Sequence, residues 1–171
     1  MNPAAPAGLR AIVVMGVTGS GKSTLASALA QALGWRFLEG DTLHPQANIA
    51  KMAAGIALND EDRRPFLQNV AQAIAATAPE GIVVSCSALK RSYRDRIRTG
   101  NTPVLFVLPA VPTTGLRARL NHRTGHFMPP ALLDSQLAIL ESPQADELAI
   151  QVPGDSTTAE QVRQILTQLN S

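Results

Sequence analysis

The sequence predicts an α/β domain, an open and mostly parallel sheet with helices on both faces. Three observations carry that expectation. Gly16-Val17-Thr18-Gly19-Ser20-Gly21-Lys22-Ser23 fits the pattern G-x-x-x-x-G-K-[ST] at every fixed position. A short apolar, β-branched run precedes it and a stretch rich in helix formers follows it, the strand–loop–helix context in which such a loop binds phosphate. Further short apolar runs then alternate with segments long enough for the helical crossovers that parallel strands require.

Taken in order, residues 1–8 are small and rich in Pro and Ala. They lack the basic start and long apolar stretch of a secretory signal and read as a frayed tail. Residues 9–15 form the first strand, and residues 23–33 the helix after the glycine loop. Residues 36–39 are a brief second strand. Asn59-Asp60-Glu61-Asp62 places a capping residue and three acids before a helix running to about residue 78. Pro65 is tolerated only in a first turn, which leaves the start of that helix open by several residues. Residues 81–86 and 103–108 are apolar at both alternating sets of positions, as strands covered on both sides must be. Residues 147–152 supply a fifth strand. Thr157-Thr158-Ala159-Glu160 opens the last helix, with Val162, Ile165, Leu166 and Leu169 on one face.

The 171 residues suit one domain, 1–171, with a hydrophobic fraction of 45%. A net charge of +2 is too small to make nucleic acid the general partner. No run approaches the ~20 apolar residues of a membrane span. The one cysteine, Cys86, makes neither an internal disulfide nor a zinc cluster and fits a reducing cytoplasm. The basic residues cluster, with five in 90–98 and three in 117–123.

The glycines of the loop let successive N–H groups turn inward onto phosphate oxygens, and the helix N-terminus adds partial positive charge. Lys22 reaches the β- and γ-phosphates and the Ser23 hydroxyl can ligand Mg²⁺. The chain is therefore expected to bind a nucleoside triphosphate through Gly16, Val17, Thr18, Gly19, Ser20, Gly21, Lys22, Ser23 and Thr24. Ligands of such sheets sit beyond the carboxyl ends of the strands. After the second strand, Asp41 either takes a proton from a substrate hydroxyl and helps hold Mg²⁺, or begins a turn or caps a helix near Pro45. His44 is either a substrate contact or a solvated loop histidine. After the third strand, a helix beginning near Leu89 would put Lys90 and Arg94 on one face, suited to an anionic substrate. The alternative is a solvated basic face balanced by Asp95. Cys86 reads as a small core residue. Residues 117–130 form a basic, glycine-interrupted hinge, either an ordinary surface loop or a mobile lid that brings arginine to a transferring phosphoryl group and excludes water.

Several classes of triphosphate-binding protein remain open on the loop alone. A regulatory GTPase needs an N-K-x-D element, which the chain lacks. A motor or transport ATPase is normally longer. A non-catalytic nucleotide sensor would need neither Asp41 nor the hinge. The short chain, Asp41 and the arginine-rich hinge favour a small-molecule kinase.

Further segments carry a resemblance. Glu39-Gly40-Asp41-Thr42-Leu43-His44-Pro45, Leu58-Asn59-Asp60-Glu61-Asp62-Arg63 and Cys86-Ser87-Ala88-Leu89-Lys90-Arg91-Ser92-Tyr93-Arg94-Asp95, with Arg123-Thr124-Gly125-His126-Phe127 and the loop, resemble the gluconate kinases. The resemblance runs from residue 13 to about 169. It implies a three-layer P-loop kinase fold, similar to shikimate and nucleoside monophosphate kinases, with sheet order 2-3-1-4-5 and a lid. It implies transfer from ATP, with Mg²⁺, to the 6-hydroxyl of D-gluconate, and a homodimer in some members. By the same resemblance Asp41 is the general base and His44, Arg63, Lys90, Arg94 and His126 are substrate contacts. Arg123 is the lid arginine over the phosphates, and Arg119 a candidate to stack on adenine. A kinase for another polyol acid such as shikimate is the next alternative, and a nucleoside monophosphate kinase comes after it. Phe66 stands where a tryptophan is common and Thr42 where an acid or aromatic is frequent; neither is expected to touch the chemistry.

Overall fold

The structure, a computed structural model, describes residues 5–77, 79–100, 102–121 and 130–171. The central strand is β1 (Ala11–Val14), followed by helix α1 (Lys22–Leu33) and strand β2 (Arg36–Glu39). A 3-10 turn (Gly40–Leu43) leads to α2 (Gln46–Ala53) and α3 (Asp60–Thr77). Then come β3 (Ile82–Ser85), α4 (Arg91–Ile97), β4 (Val104–Ala110), α5 (Thr113–Asn121), α6 (Pro130–Ile139), β5 (Ala149–Pro153) and α7 (Thr158–Leu169).

All described strand pairs are parallel, in the order β2-β3-β1-β4-β5. This is the order the resemblance implied. In β1, Ala11 lies opposite Ile82 of β3 and Val104 of β4, and Val14 opposite Ser85 and Val107. Every side chain of β1 is fully buried, so both faces of the sheet are covered. Ala11 and Val13 pack with Phe66, Leu67, Val70 and Ile74 of α3 and Tyr93 and Ile97 of α4. Ile12 and Val14 pack with Leu25 and Leu29 of α1 and Ile165 of α7. Each such aliphatic side chain contributes about 1.5–3 kcal/mol when fully buried.

Helix ends follow local chemistry. Gly34 closes α1 in the left-handed conformation (φ 69°), its N–H donating to Ala30 and Gln31 carbonyls. At α7, Thr157 and Glu160 form the expected capping box. The start of α3 differs from the sequence expectation, because Pro65 lies inside the helix rather than in its first turn. Asn59 and Asp62 fix the start upstream. The Asp62 N–H donates to Asn59 Oδ1 (2.8 Å), and the Asn59 N–H donates to Asp62 Oδ2 (3.0 Å).

The second difference concerns Arg94. Helix α4 starts at Arg91, not near Leu89, and Lys90 is its extended N-cap. Lys90 and Arg94 therefore do not share a cleft-facing helix face. Arg94 is fully buried. Its Nε donates to Glu147 Oε1 (2.7 Å) and its Nη2 to Glu147 Oε2 (3.1 Å). Nη1 donates to the carbonyls of Ala88 (3.0 Å) and Leu89 (3.2 Å). With these donors engaged inside the protein, Arg94 is a brace for the β3–α4 connection and not a substrate contact.

Glu147 also accepts from Arg98 Nη2 (3.1 Å) and the Gln144 N–H (2.8 Å). These hydrogen bonds, Arg94 first, hold its carboxyl down at about 2, against an ordinary 4.5. A carboxyl with a lowered folded pKa gives its full stabilisation above the unfolded value and loses it as pH falls toward the folded one. A shift of this size corresponds to about 3 kcal/mol. Glu147→Gln should therefore lower stability by a few kcal/mol at neutral pH. In urea unfolding it should also flatten the loss of stability between about pH 4.5 and 2. A variant with the parent's acid slope would show that Glu147 is not the ionised partner.

Candidate active site

The glycine loop leaves the middle of the sheet between two neighbours. The Met15 N–H donates to the Val107 carbonyl (2.8 Å) and the Gly16 N–H to that of Ser87 (3.1 Å). Gly21, in the left-handed conformation (φ 87°), is the N-cap of α1 and brings no capping side chain. The first N–H groups of α1 thus face the loop's hollow, where an anion is favoured. Val17 and Ser20 are buried within the loop. Ser20 Oγ donates to the Val17 carbonyl (2.7 Å), as does Lys22 Nζ (3.0 Å). Thr18, Gly19, Gly21, Lys22, Ser23 and Thr24 line one wall of an open cleft of about 510 Å³, a volume within the range of small-molecule sites.

The facing wall begins at the end of β2. A Cβ on Gly40 would lie 2.0 Å from the Ser85 carbonyl oxygen, so only glycine lets the chain turn so close to β3. Ser85 Oγ accepts from the Gly40 N–H (3.3 Å) and donates to Glu39 Oε1 (2.5 Å). Glu39, Asp41 and His44 all line the cleft. Asp41 belongs to the 3-10 turn and to the cleft at once, its carbonyl accepting the His44 N–H (3.4 Å). Its place in the turn matches one sequence reading, and its place in the cleft leaves it where a base would have to stand.

His44 is held on two sides. Its ring stacks on Phe66 with centroids 3.7 Å apart and an interplanar angle of 13°. Asn48 Nδ2 donates to His44 Nδ1 (3.2 Å) and to the Asp62 carbonyl (2.8 Å). An accepting Nδ1 leaves the ring proton on Nε2, so His44 is a neutral donor. Burial pushes its pKa below 6.5, Asp41 opposes that shift and Arg63 reinforces it. Phe66, expected to stand apart from the chemistry, instead orients this imidazole. Thr42 Oγ1 donates to the Glu39 carbonyl (2.7 Å).

Arg63, nearly buried on α3, lines the same cleft. Its Nη1 donates to the Leu58 carbonyl (2.6 Å) and to Tyr93 Oη (3.1 Å). Lys90 lines an adjoining recess with Asp60, Glu61 and Arg63. Its Nζ lies 3.1 Å from Asp60 Oδ1 and 5.5 Å from the Tyr93 ring centroid. Arg119 sits on the loop's other side. Its Nη1 donates to the Gly19 carbonyl (3.3 Å) and its Nη2 to that of Gly154, just past β5 (2.8 Å). Arg123 and His126 lie outside the described residues, as does 122–129 of the expected lid; α5 and α6 flank that segment. Cys86 is buried in the core, and desolvation pushes its thiol up to about 12.

Among the polar residues lining the cleft, Glu39, Ser135 and Gln136 escaped the sequence reading, whereas the hydroxyls after the third strand were expected to face it. Glu39 and Asp41, two positions apart, carried a signal in the alternation of an extended chain. Ser87 follows β3 as Asp41 follows β2. Gln136 carried none, since it arrives from α6, far along the chain. Among the described residues no group of three or more His, Cys, Asp or Glu could hold a metal unaided. The Ser23 hydroxyl with the Glu39 and Asp41 carboxylates is instead a set of hard oxygens, suited to Mg²⁺ that phosphates bring with them.

A family model described as an AAA domain matches residues 12–143. The chain is 50% identical over 148 residues to the gluconokinase of Gluconobacter oxydans (strain 621H), covering 85% of this chain and 83% of that protein. The crystal structure of a gluconokinase from Sinorhizobium meliloti 1021 superposes with TM-score 0.87 at 46% identity, over 95% of this chain and 93% of that one. The unliganded structure of a sugar kinase from Janibacter sp. HTCC2649 gives TM-score 0.90 at 42% identity, over 95% of both chains.

The electrostatics around His44 make a signed expectation. In imidazole NMR titrations His44 should titrate below 6.5. Asp41→Asn, which removes the charge opposing the shift, should move the midpoint lower, and Arg63→Met should move it higher. A midpoint that ignores both substitutions would mean that the three side chains do not face one another.

Proposed function

The chain belongs to the gluconokinase family, and from that membership we propose how its cleft moves a phosphoryl group. The protein is a kinase that phosphorylates gluconate with ATP. The observation that carries the mechanism is the pairing of two walls in one cleft, the phosphate loop on one side and Asp41, His44 and Arg63 on the other.

The loop N–H groups and the N-terminus of α1 hold the triphosphate, and Lys22 leaves the Val17 carbonyl to neutralise β- and γ-oxygens. Thr24, one residue into the helix beyond Ser23, extends that contact. Ser23, with the Asp41 and Glu39 carboxylates behind it, is where Mg²⁺ would be held. When bound there, Mg²⁺ would supply positive charge that offsets the charge of the transferring group.

On the acceptor wall, Asp41 takes the proton of the gluconate 6-hydroxyl as that oxygen attacks the terminal phosphorus, whose bond to the bridging oxygen breaks to release ADP. His44 Nε2–H donates to a substrate hydroxyl and, being neutral, leaves the proton on the hydroxyl for Asp41. Among the described residues Arg63 is the arginine that lines the cleft, so it binds the gluconate carboxylate. Lys90 adds positive potential from the adjoining recess, where its partly exposed pair with Asp60 is weak enough to break. Arg123 and His126 close over the phosphates and the substrate, and Arg119 lies against the adenine. Closure excludes water and so favours transfer to sugar over hydrolysis. The substrate is a small molecule, with no nucleic acid or membrane involved, and the protein acts in the cytoplasm. No helix among the described residues is long and apolar enough to cross a membrane.

Asp41→Asn should keep ATP affinity, read by calorimetry, while gluconate phosphorylation falls by at least about 10²-fold, the scale of general-base effects. An unchanged rate would reduce Asp41 to a turn residue.

A further inference from the structure

One contact crosses the cleft where the phosphates belong. The backbone N–H of Thr18, in the middle of the phosphate loop, donates to Gln136 Oε1 at 2.7 Å. Gln136 stands on α6, the helix that begins directly after residues 122–129, and its half-buried side chain lines the cleft. A loop N–H that faces the cleft is the kind of group a phosphate oxygen takes. Here a neutral amide oxygen occupies it. An anionic oxygen is the stronger acceptor, so a bound triphosphate displaces Oε1.

The displaced side chain carries its own donor. Oε1 and Nε2 sit on the same carbon, and half a turn about the last torsion exchanges them. Among the described residues Nε2 has no hydrogen-bond partner, so the bond from Thr18 is the one given up when the amide turns. The position selects the phosphate concerned. Arg119 and Gly154 mark the far side of the loop at Gly19, whereas Gln136 shares the cleft with Asp41, His44 and Arg63. The phosphate within reach of both Thr18 and the acceptor wall is the terminal one.

We infer that Gln136 is a catalytic residue that exchanges one bond for another. It holds the Thr18 N–H in the empty loop, and donates from Nε2 to the transferring phosphoryl group once ATP is bound. The inference rests on reading this cleft as the transfer site. It also ties α6 to the loop, so that nucleotide binding changes what holds the helix after the lid segment.

Gln136→Leu and Gln136→Glu test it, by steady-state kinetics and by calorimetry of ATP and ADP without acceptor. Gln136→Leu removes both amide atoms at similar size. Its kcat should fall by about 10- to 100-fold, approaching the scale of losing one donor to a developing charge. The gluconate KM and ADP affinity should stay within about threefold of the parent's. Gln136→Glu keeps an acceptor for Thr18 and should fold as the parent does, yet it repels phosphate. ATP should bind at least about tenfold more weakly, with ADP affected less. A Gln136→Leu kcat within twofold of the parent, a change in gluconate KM alone, or parental ATP affinity in Gln136→Glu would each overturn the inference. The parent's own gluconate-dependent turnover tests the reading of the cleft. The calorimetric arm uses no acceptor and stands whichever acceptor the cleft takes.

Discussion

The pairing of β1 with β3 on one side and β4 on the other decides where the chemistry can occur. It buries β1 completely and ends it at the middle of one sheet edge. Because all the strands are parallel, their carboxyl ends meet at that edge. The loop after β1, the turn after β2 and the connection after β3 are then neighbours without any of them reaching far. The bonds from Met15 to Val107 and from Gly16 to Ser87 extend the ladders into the loop. A polar, glycine-rich segment is thereby set on a rigid base, which is what a charge-stabilising site needs.

The buried Arg94–Glu147 pair performs a related task for the connection after β3. Ala88, whose carbonyl accepts from Arg94, has a positive φ of 43°, a conformation that costs a residue with a Cβ about 1 kcal/mol or more. The guanidinium holds that carbonyl and the next, while Glu147 ties the assembly to the segment entering β5. Ser87 and Leu89, on either side of Ala88, line the cleft. A buried ion pair is weak evidence for stability as such. Here its geometry explains why a charged pair is kept, since an apolar replacement could not hold two carbonyls in place.

Local patterns carried much of this into the sequence. The phosphate loop is legible because its function is a property of consecutive residues. The three inner strands, β1, β3 and β4, are legible because burial on both faces leaves an uninterrupted apolar run, whereas the edge strands β2 and β5 are only partly buried. Asp41 was visible through the rule that ligands lie beyond strand ends, although the rule could not separate turn from site. What stayed hidden depended on partners distant in the chain. Arg94 looked like a substrate contact until α4 began at Arg91 and Glu147, 53 positions away, took its guanidinium. Phe66 looked incidental until it stacked beneath His44. Gln136 had no local signature, since its meaning comes from Thr18, 118 positions earlier.

The two halves of the cleft make one claim together, that the triphosphate held by the loop is spent on a linear polyol acid at the facing wall. The most direct measurement is ADP formation by the purified protein with gluconate, shikimate or AMP as sole acceptor. Gluconate should give rapid, acceptor-dependent turnover and the other two little. Equal rates with all three, or turnover driven by shikimate or AMP in preference to gluconate, would contradict it.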